Sequence, residues 1–344
     1  MTQGTHCLIR TGGGKHVGFG HVRRCLSLAG ALRELKVTSV FLVDGDAEVK
    51  GHIAQAGFEV VSVRPDEDLA QVLAESRVRC ARAIVVDSYA LNTGYFHALA
   101  AAGALSVAID DLADRHSPVT VIVNGTPGAE RLAYRALPDT LCLLGPRYML
   151  LRPEFAEQPH RDFPERVCRV LITVGGSDSH DLTPRLIRWS AATVGGAALD
   201  VIIGPSFDNL DRIEAAARSH ADRVTLHRDP SDMRALMLAA DLAVCGGGQT
   251  TFEMAATGTP AVAIRVADNQ MANLQGLAAG GVLVWVGNAT DADLEDKLTH
   301  ALATLADDPV HRRALSRCGR ALADGQGSMR VARALCEMVE GRPS

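Results

Sequence analysis

A glycine-rich loop that carries a histidine is the part of the sequence best suited to chemistry. Gly18, Gly20 and His21 follow the apolar run of residues 6–9 and precede apolar residues at helical spacing. Glycines let the backbone approach a ligand closely, and the following helix N-terminus presents unpaired N–H groups. Because histidine exchanges protons near neutral pH, His21 is a candidate base, with Arg24 one turn further on. The alternative is a tight turn whose histidine only caps or packs.

A second glycine-rich loop follows the apolar run of residues 242–245. It offers bare amides and hydroxyls at the start of a predicted helix, which suits a diphosphate, and comprises Gly246, Gly247, Gly248, Gln249, Thr250 and Thr251. Further along this helix, Glu253 is expected to accept hydrogen bonds from a ribose diol. Asn269 and Gln270 begin another predicted helix whose amides are expected to reach the same ligand. An ordinary flexible loop and a carboxylate that only interacts with the helix dipole remain the alternatives.

Three better-known phosphate motifs do not fit. The second loop lacks the lysine and the spacing of a P-loop, and no G-x-G-x-x-G opens a dinucleotide fold in the required context. Residues 44–46 match a metal-binding D-x-D formally, but Asp46 is predicted to cap a helix. We therefore disfavour an ATPase, a dehydrogenase and a metal-dependent sugar enzyme.

The elements around both loops indicate parallel sheets. Nearly continuous apolar runs at residues 83–87 and 105–109 alternate with predicted helices, which is typical of strands covered on both faces. Ligands bind beyond the carboxyl ends of such strands. Asp87 and Asp111 are accordingly expected on the same edge as His21. With Gly18, Gly20 and Arg24, they are predicted to bind the substrate.

The alternating pattern occurs twice, which predicts an α/β chain of two Rossmann-like domains with a cleft between them. The first domain is assigned to residues 1–145 and carries the histidine loop. Prolines interrupt residues 146–165, which are predicted to be a linker. Residues 166–325 form the predicted nucleotide-binding domain, and residues 326–344 a C-terminal helix.

The net charge and composition of the chain limit the classes of partner that it is expected to bind. A net charge of -5 and the lack of a basic block argue against nucleic acid, and no apolar run is long enough to span a bilayer. The protein is therefore expected to be cytoplasmic, without membrane insertion. The 8 cysteines lack metal-site spacing and are predicted to be buried thiols. We predict no cofactor and no metal, and the sequence does not indicate an oligomeric state.

Together these motifs resemble a known family. Gly18 to Leu26, Asp87 with Tyr89, Gly175 to Asp178 and Gly246 to Glu253 are similar to the nucleotide-sugar hydrolases of pseudaminic acid biosynthesis. Those enzymes release 2,4-diacetamido-2,4,6-trideoxy-altropyranose from its UDP conjugate. The resemblance covers roughly residues 8–285 and implies the two-domain glycosyltransferase B architecture.

The resemblance also implies residue roles. By match to the family pattern, His21 is the catalytic base, Tyr89 and Asn269 lie near the reacting sugar, and Glu253 with its loop binds UDP. Two positions depart from the pattern, because Gly12 stands where an aspartate is usual and Ser88 where a histidine is common. Both departures concern the sugar, so the nucleotide assignment transfers better than the sugar identity.

The expected function is therefore hydrolysis of a UDP-activated amino or deoxy sugar at the anomeric C–O bond with inversion. The alternative is an inverting glycosyltransferase that uses a UDP-sugar, since the same base would then deprotonate an acceptor hydroxyl. A non-catalytic nucleotide-sugar binding module is a third interpretation. In each case the expected partner is a small-molecule nucleotide sugar.

Overall fold

A computed structural model describes residues 6–14 and 19–341 of the chain. The chain divides into two α/β units. The first unit comprises residues Met1–Pro153 and Gly325–Ser344, and the second comprises Glu154–Asp324. The division after Pro153 falls within the segment predicted as a linker.

The first unit is built on a seven-stranded parallel sheet in the order β3-β2-β1-β4-β5-β6-β7. Its strands are β1 (His6–Gly12), β2 (Thr38–Asp44), β3 (Glu59–Ser62), β4 (Ala83–Asp87), β5 (Leu105–Ile109), β6 (Val121–Asn124) and β7 (Leu141–Leu144). Its first helices are α1 (Gly20–Glu34), α2 (Ala47–Gln55), α3 (Asp68–Val78) and α4 (Thr93–Ala100). All residues of β4 and β5 are buried, which explains their continuous apolar sequence.

Strand order reverses direction between β1 and β4, which are paired neighbours at the centre of this sheet. Such a switch point opens a crevice at the carboxyl ends of the two strands. In the register, Thr11 pairs with Asp87, so the last residue of β4 lies beside the end of β1. The histidine loop therefore follows β1 at the place where a doubly wound sheet binds ligands.

The second unit repeats the design with six parallel strands in the order β10-β9-β8-β11-β12-β13. The strands are β8 (Arg169–Thr173), β9 (Ala198–Ile203), β10 (Val224–Arg228), β11 (Leu242–Gly246), β12 (Ala261–Arg265) and β13 (Val284–Asn288). The helices are α5 (Leu182–Thr193), α6 (Leu210–Arg218), α7 (Met233–Ala239), α8 (Thr250–Thr257), α9 (Met271–Ala279), α10 (Leu294–Asp307) and α11 (Pro309–Leu322). The switch point here lies between β8 and β11, and the second glycine loop follows β11.

The C-terminal helix, α12 (Gly327–Glu340), belongs to the first unit. Its buried residues Val331 and Leu335 join the apolar cluster that contains residues of α1 and β5. Ser328 Oγ donates to the carbonyl of Leu151 at 2.7 Å. Residues 146–153 and 325–340 therefore fold together, and this helix is not an element apart from the two units.

Residues 157–165, the second part of the predicted linker, are held on the second unit by arginines. Arg161 Nη1 donates to Thr259 Oγ1 at 2.8 Å and to the carbonyl of Met237 at 3.1 Å. Arg312, which is 0% exposed, donates to the carbonyl of Pro164. These bonds anchor the segment to the helices of that unit. A proline-rich sequence alone gives no sign of such distant partners.

The cysteines also differ from the prediction. Cys7, Cys25 and Cys245 are buried, but Cys80, Cys142 and Cys168 are exposed because they lie at the ends or edges of elements. Over the described residues, no helix is long and apolar enough to cross a membrane.

Candidate functional site

The first candidate site lies at the carboxyl edge of the first sheet. His21 stands in the first turn of α1, and Asp87 is the last residue of β4. Both side chains are buried, with His21 6% and Asp87 0% exposed. Gly20 is the first, exposed residue of α1, whereas Gly18 lies outside the described residues.

His21 and Asp87 form a tight pair. The imidazole Nδ1 lies 2.6 Å from Oδ1 of Asp87. A carboxylate only accepts hydrogen bonds, so this contact assigns the proton of a neutral imidazole to Nδ1. The other nitrogen, Nε2, is then the one that can accept a proton. This is how a buried carboxylate orients a histidine base in many hydrolytic and transfer enzymes.

Arg24 bridges two carboxylates at the same site. Its Nε donates to Oδ2 of Asp87 and its Nη2 to Oδ1, each at 2.6 Å, while Nη1 donates to Asp111 at 2.6 Å. Burial alone would raise the pKa of Asp87. The charges of Arg24 and His21 and their hydrogen bonds outweigh burial, so this pKa lies well below its ordinary value. Asp87 is therefore an anion that stabilises any positive charge on His21.

Arg24 and Asp87 were predicted to bind substrate, and in the structure both also contact His21. Asp87 is fully buried beneath His21, and each terminal nitrogen of Arg24 already donates to a carboxylate. Because Asp87 is fully buried and both residues contact the imidazole, we propose that both position His21. Asp111, whose side chain is 18% exposed, is better placed to contact a ligand.

Tyr89 joins the same cluster. Its hydroxyl donates to Oδ2 of Asp111 at 2.7 Å, and its ring lies edge-on to His21 with centroids 4.5 Å apart. Burial and the nearby Asp111 charge raise the pKa of Tyr89, so the phenol keeps its proton and acts as a donor. Four of the predicted residues therefore surround His21.

Beside this site lies a buried ion pair that sequence reasoning missed. Arg10, at 3% exposure, donates to Asp68 through Nε at 2.7 Å, and Tyr95 donates to the same carboxylate at 2.7 Å. Asp68 opens α3 without belonging to any recognisable motif, so only the fold reveals it. The departure at Gly12 has a steric reason here, since a Cβ there would come within 2.9 Å of the carbonyl of Asp44.

The second candidate site is the loop that follows β11 in the second unit. A Cβ on Gly246 would lie 2.6 Å from the carbonyl of Val174, and one on Gly247 would overlap the side chain of Leu274. Only glycine fits where the chain passes this closely between β8 and α9. The loop leads directly into α8, which begins at Thr250.

The carbonyls of this loop are turned toward protein donors. Asn273 Nδ2 donates to the carbonyl of Gly247 at 2.8 Å, and Thr251 Oγ1 donates to that of Gly248 at 2.7 Å. Asn273 also donates to Thr251 Oγ1 at 3.0 Å. With the carbonyls so engaged, the amides at the start of α8 provide the positive end of the helix dipole for an anion. Asn273 was missed because nothing marks it in the sequence.

The other predicted residues of this site are partly brought together. Glu253 lies in the first turn of α8 at 5% exposure. Gln270 accepts from the backbone N–H of Val266 at 2.9 Å through Oε1, so its amide nitrogen is oriented toward Gly248. Asn269 is exposed in the same short helix, Gln249 is half-buried and Thr250 is buried. No three His, Cys, Asp or Glu side chains are grouped as a metal site within residues 6–14 and 19–341.

No family model matches the chain. Among sequence relatives, the spore coat polysaccharide biosynthesis protein SpsG of Bacillus subtilis is 25% identical over 230 residues, which are 64% of this chain and 65% of SpsG. An uncharacterised protein of Methanocaldococcus jannaschii is 26% identical over 267 residues, or 74% of this chain and 54% of that protein. The chain thus spans about half to two thirds of the length of these relatives.

Solved structures match over the whole chain. The spinosyn rhamnosyltransferase SpnG has a TM-score of 0.66 at 15% identity and covers 98% of this chain and 100% of its own. MurG of Acinetobacter baumannii has a TM-score of 0.64 at 16% identity, with coverage of 97% and 100%. HepE of Anabaena, solved with UDP, has a TM-score of 0.64 at 11% identity, with coverage of 98% and 100%.

The chain has the glycosyltransferase B fold. The prediction of two Rossmann-like parallel-sheet domains is thereby confirmed. Identities of 11 to 16% show a shared fold and no more. What the chain does must be argued from its own residues.

Proposed function

We propose that this protein is an inverting glycosyltransferase that uses a nucleotide-diphosphate sugar, with His21 as the catalytic base. This was the alternative interpretation of the sequence, and it now leads because the fold neighbour SpnG is a rhamnosyltransferase. The single observation that carries the proposal is the buried His21–Asp87 pair at 2.6 Å.

The pair suits deprotonation of a hydroxyl. Asp87 fixes the imidazole with Nδ1 protonated, so Nε2 takes the proton as the hydroxyl oxygen bonds to the anomeric carbon. The resulting imidazolium is stabilised by Asp87, which Arg24 keeps ionised. The bond from the anomeric carbon to the diphosphate breaks at the same time, and its electron pair leaves with the diphosphate. A single displacement inverts the configuration at that carbon.

The loop of residues 246–251 is proposed to bind the leaving diphosphate. Its carbonyls are engaged by Asn273 and Thr251, and α8 starts within it. Amides and a helix N-terminus stabilise negative charge as it grows on the diphosphate, without a proton or a metal ion. Glu253, one turn along α8, is proposed to accept hydrogen bonds from the ribose. HepE with UDP and SpnG with thymidine diphosphate support a nucleoside diphosphate as the ligand class.

Hydrolysis is the second candidate, and the resemblance of the loop around His21 to pseudaminic acid pathway hydrolases favours it. Water then takes the place of the acceptor hydroxyl, and the other steps are unchanged. The candidate substrate is the UDP conjugate of 2,4-diacetamido-2,4,6-trideoxy-altropyranose. Gly12 and Ser88 depart from that family at the sugar side, so other UDP-sugars belong in the same test.

The deciding experiment measures UDP release from a panel of UDP-sugars, with and without a mixture of sugar and lipid-linked acceptors. Release that needs an acceptor identifies a transferase, and release in its absence identifies a hydrolase. NMR of the first product then gives its anomeric configuration, and inversion is expected. Tight binding of a UDP-sugar without turnover under any condition would instead indicate a binding module and refute the enzymatic proposal.

A further inference from the structure

We propose that Arg115 is a positioning residue that holds Tyr89, and through it His21, in the orientation needed for proton transfer. Arg115 belongs to no motif, and neither the resemblance nor the proposed reaction gives it a role. The inference rests on the proposed function, because it concerns the base used there. It is carried by the contacts that Arg115 makes with the loop after β4.

Arg115 binds three carbonyls of that loop. Its Nη2 donates to Ser88 at 3.0 Å, and its Nη1 donates to Leu91 at 3.1 Å and to Tyr89 at 3.3 Å. One guanidinium thus fixes the main chain immediately before, at and after Tyr89. A loop of this kind is otherwise mobile, because its backbone groups exchange freely with water.

Arg115 is itself held from two sides. Its guanidinium carbon lies 5.2 Å from the ring centroid of Phe96, a residue that is 1% exposed. The next residue, His116, accepts a hydrogen bond from Thr93 Oγ1 at 3.0 Å through its carbonyl. Arg115 is therefore a fixed point on the body of the first unit, and the loop of residues 88–91 is attached to it.

Tyr89 is consequently held at both ends. Its backbone is fixed by Arg115, and its hydroxyl is fixed by Asp111 at 2.7 Å. Between these points its ring lies edge-on to the imidazole of His21, with centroids 4.5 Å apart. Asp87 fixes one edge of that imidazole, and the ring of Tyr89 limits how it can tilt. Release of the loop would leave only the contacts at the Nδ1 edge, from Asp87 and Arg24, to aim Nε2.

The geometry requires an arginine. Three carbonyls spread over residues 88–91 are reached by two different nitrogens of a rigid planar fork. A lysine offers one nitrogen on a flexible stem, so it keeps the charge but loses most of the fixation. The role of Arg115 therefore depends on the geometry of its guanidinium group. The lysine variant keeps the positive charge without that geometry, so it shows which of the two matters.

The test compares three variants. Arg115→Met keeps an unbranched side chain beside Phe96 and removes the charge and the three hydrogen bonds, and Arg115→Lys keeps the charge. Arg79→Met is the matched control, since Arg79 also makes three hydrogen bonds in the first unit but lies just before β4, at the opposite edge of the sheet. Both Arg115 variants are expected to lower kcat by about 10- to 100-fold, the cost of a small misplacement of a catalytic group. The Kd for UDP and the control's kcat are expected to stay within twofold.

A double-mutant cycle tests whether Arg115 affects His21 through Tyr89. In a Tyr89→Leu background the ring that transmits the effect is gone, so Arg115→Met is expected to change kcat little further. In a Glu253→Gln background, where the altered group belongs to the nucleotide site, the full effect of Arg115→Met is expected. Equal effects in both backgrounds would overturn the assignment to Tyr89.

A second measurement does not depend on activity. The imidazole signals of His21, identified by their loss in His21→Asn, are expected to shift or broaden in the NMR spectrum of Arg115→Met and to stay unchanged in Arg79→Met. If the wild type turns over no nucleotide sugar, the proposed function fails while this measurement still tests the positioning role. Unchanged His21 signals in folded Arg115→Met and Arg115→Lys proteins would refute the role of Arg115.

Discussion

Asp87 lies directly beneath His21, with 2.6 Å between its Oδ1 and the imidazole Nδ1, and Arg24 donates to both oxygens of the same carboxylate. One fully buried carboxylate therefore accepts hydrogen bonds from a histidine and an arginine at once. Because the same contacts orient His21 and stabilise the fold, the chemistry of the first unit is tied to its stability.

His21→Asn should abolish most turnover and leave nucleotide binding intact. Asparagine cannot accept the proton from the nucleophile, and general bases commonly contribute about 10²- to 10⁴-fold to rate. Turnover is measured by UDP release and UDP affinity by calorimetry. The matched control is His97→Asn, an exposed histidine on α4 of the same unit. A His21→Asn protein with near wild-type turnover would show that another group is the base.

Asp87→Asn should change how stability depends on pH. The pKa of Asp87 is lower in the folded protein than its unfolded value of about 4, so its contribution to stability is present above about pH 4 and is lost as pH falls below it. One proton taken up on unfolding gives a slope of up to about 1.4 kcal/mol per pH unit. Urea denaturation between pH 3 and pH 7 should therefore show a shallower acid slope in the variant. Equal slopes would mean that Asp87 is not a lowered-pKa carboxylate.

Glu253→Gln should weaken UDP binding without preventing folding. A neutral amide keeps the size of the buried side chain but loses charge-assisted hydrogen bonds to a ribose, each worth about 1.5–3 kcal/mol. The Kd for UDP is expected to rise about tenfold or more by calorimetry. The exposed Glu295→Gln on α10 serves as the control. An unaltered Kd would remove Glu253 from the nucleotide site.

Turnover should survive an excess of chelator. The two pairs of aspartates considered as cation ligands, Asp44 with Asp46 and Asp110 with Asp111, have protein partners. Asp44 lies 3.8 Å from Arg10, Asp46 accepts from Val49 N–H at 3.0 Å, Asp110 accepts from Leu112 N–H at 3.1 Å, and Asp111 binds Arg24 and Tyr89. The diphosphate is expected to rely on amides instead. Activity is measured before and after EDTA treatment. Loss of activity that magnesium or manganese restores would contradict the proposed diphosphate site.

The buried and the exposed cysteines should differ in their reactivity toward thiol reagents. Burial raises the pKa of Cys7 to about 12, with a further rise from Cys336, and burial raises that of Cys245 to about 12, whereas Cys80 and Cys168 are exposed. Because only the thiolate reacts, Ellman's reagent at pH 8 should label Cys80 and Cys168 first and leave Cys7 and Cys245 intact. Mass spectrometry of peptides identifies the labelled sites, and all 8 cysteines should react in denaturant. Early labelling of Cys7 would contradict its burial.

Most of the fold could be predicted because parallel strands that are buried on both faces consist of nearly continuous apolar residues. The runs at residues 83–87 and 105–109 are strands with those bounds. β13 (Val284–Asn288) escaped notice because it is a half-buried edge strand that contains Gly287. The sequence also predicted a helix cap correctly, since Asp46 accepts a hydrogen bond from Val49 N–H at the start of α2.

The site was predictable only where its residues follow strands. Asp87 ends β4, Asp111 follows β5 by two residues, and His21 lies at the start of the helix that follows β1, so the sheet brings them together. Asp68, Arg115 and Asn273 act through contacts between segments distant in sequence, such as the 58 residues between Arg10 and Asp68. No local pattern reports such contacts. The sequence also does not show which group a side chain contacts, so the hydrogen bond between Asp87 and His21 is seen only in the structure.

The docking of α12 on the first unit has a consequence for the order of folding during synthesis. The apolar cluster around α1 is incomplete until Val331 and Leu335 have left the ribosome, whereas all residues of the second unit are made before that helix. The half of the molecule that is translated first is therefore the half that finishes last. Until then, the surface of α1 that awaits α12 is exposed, and chaperones or early aggregation would act there.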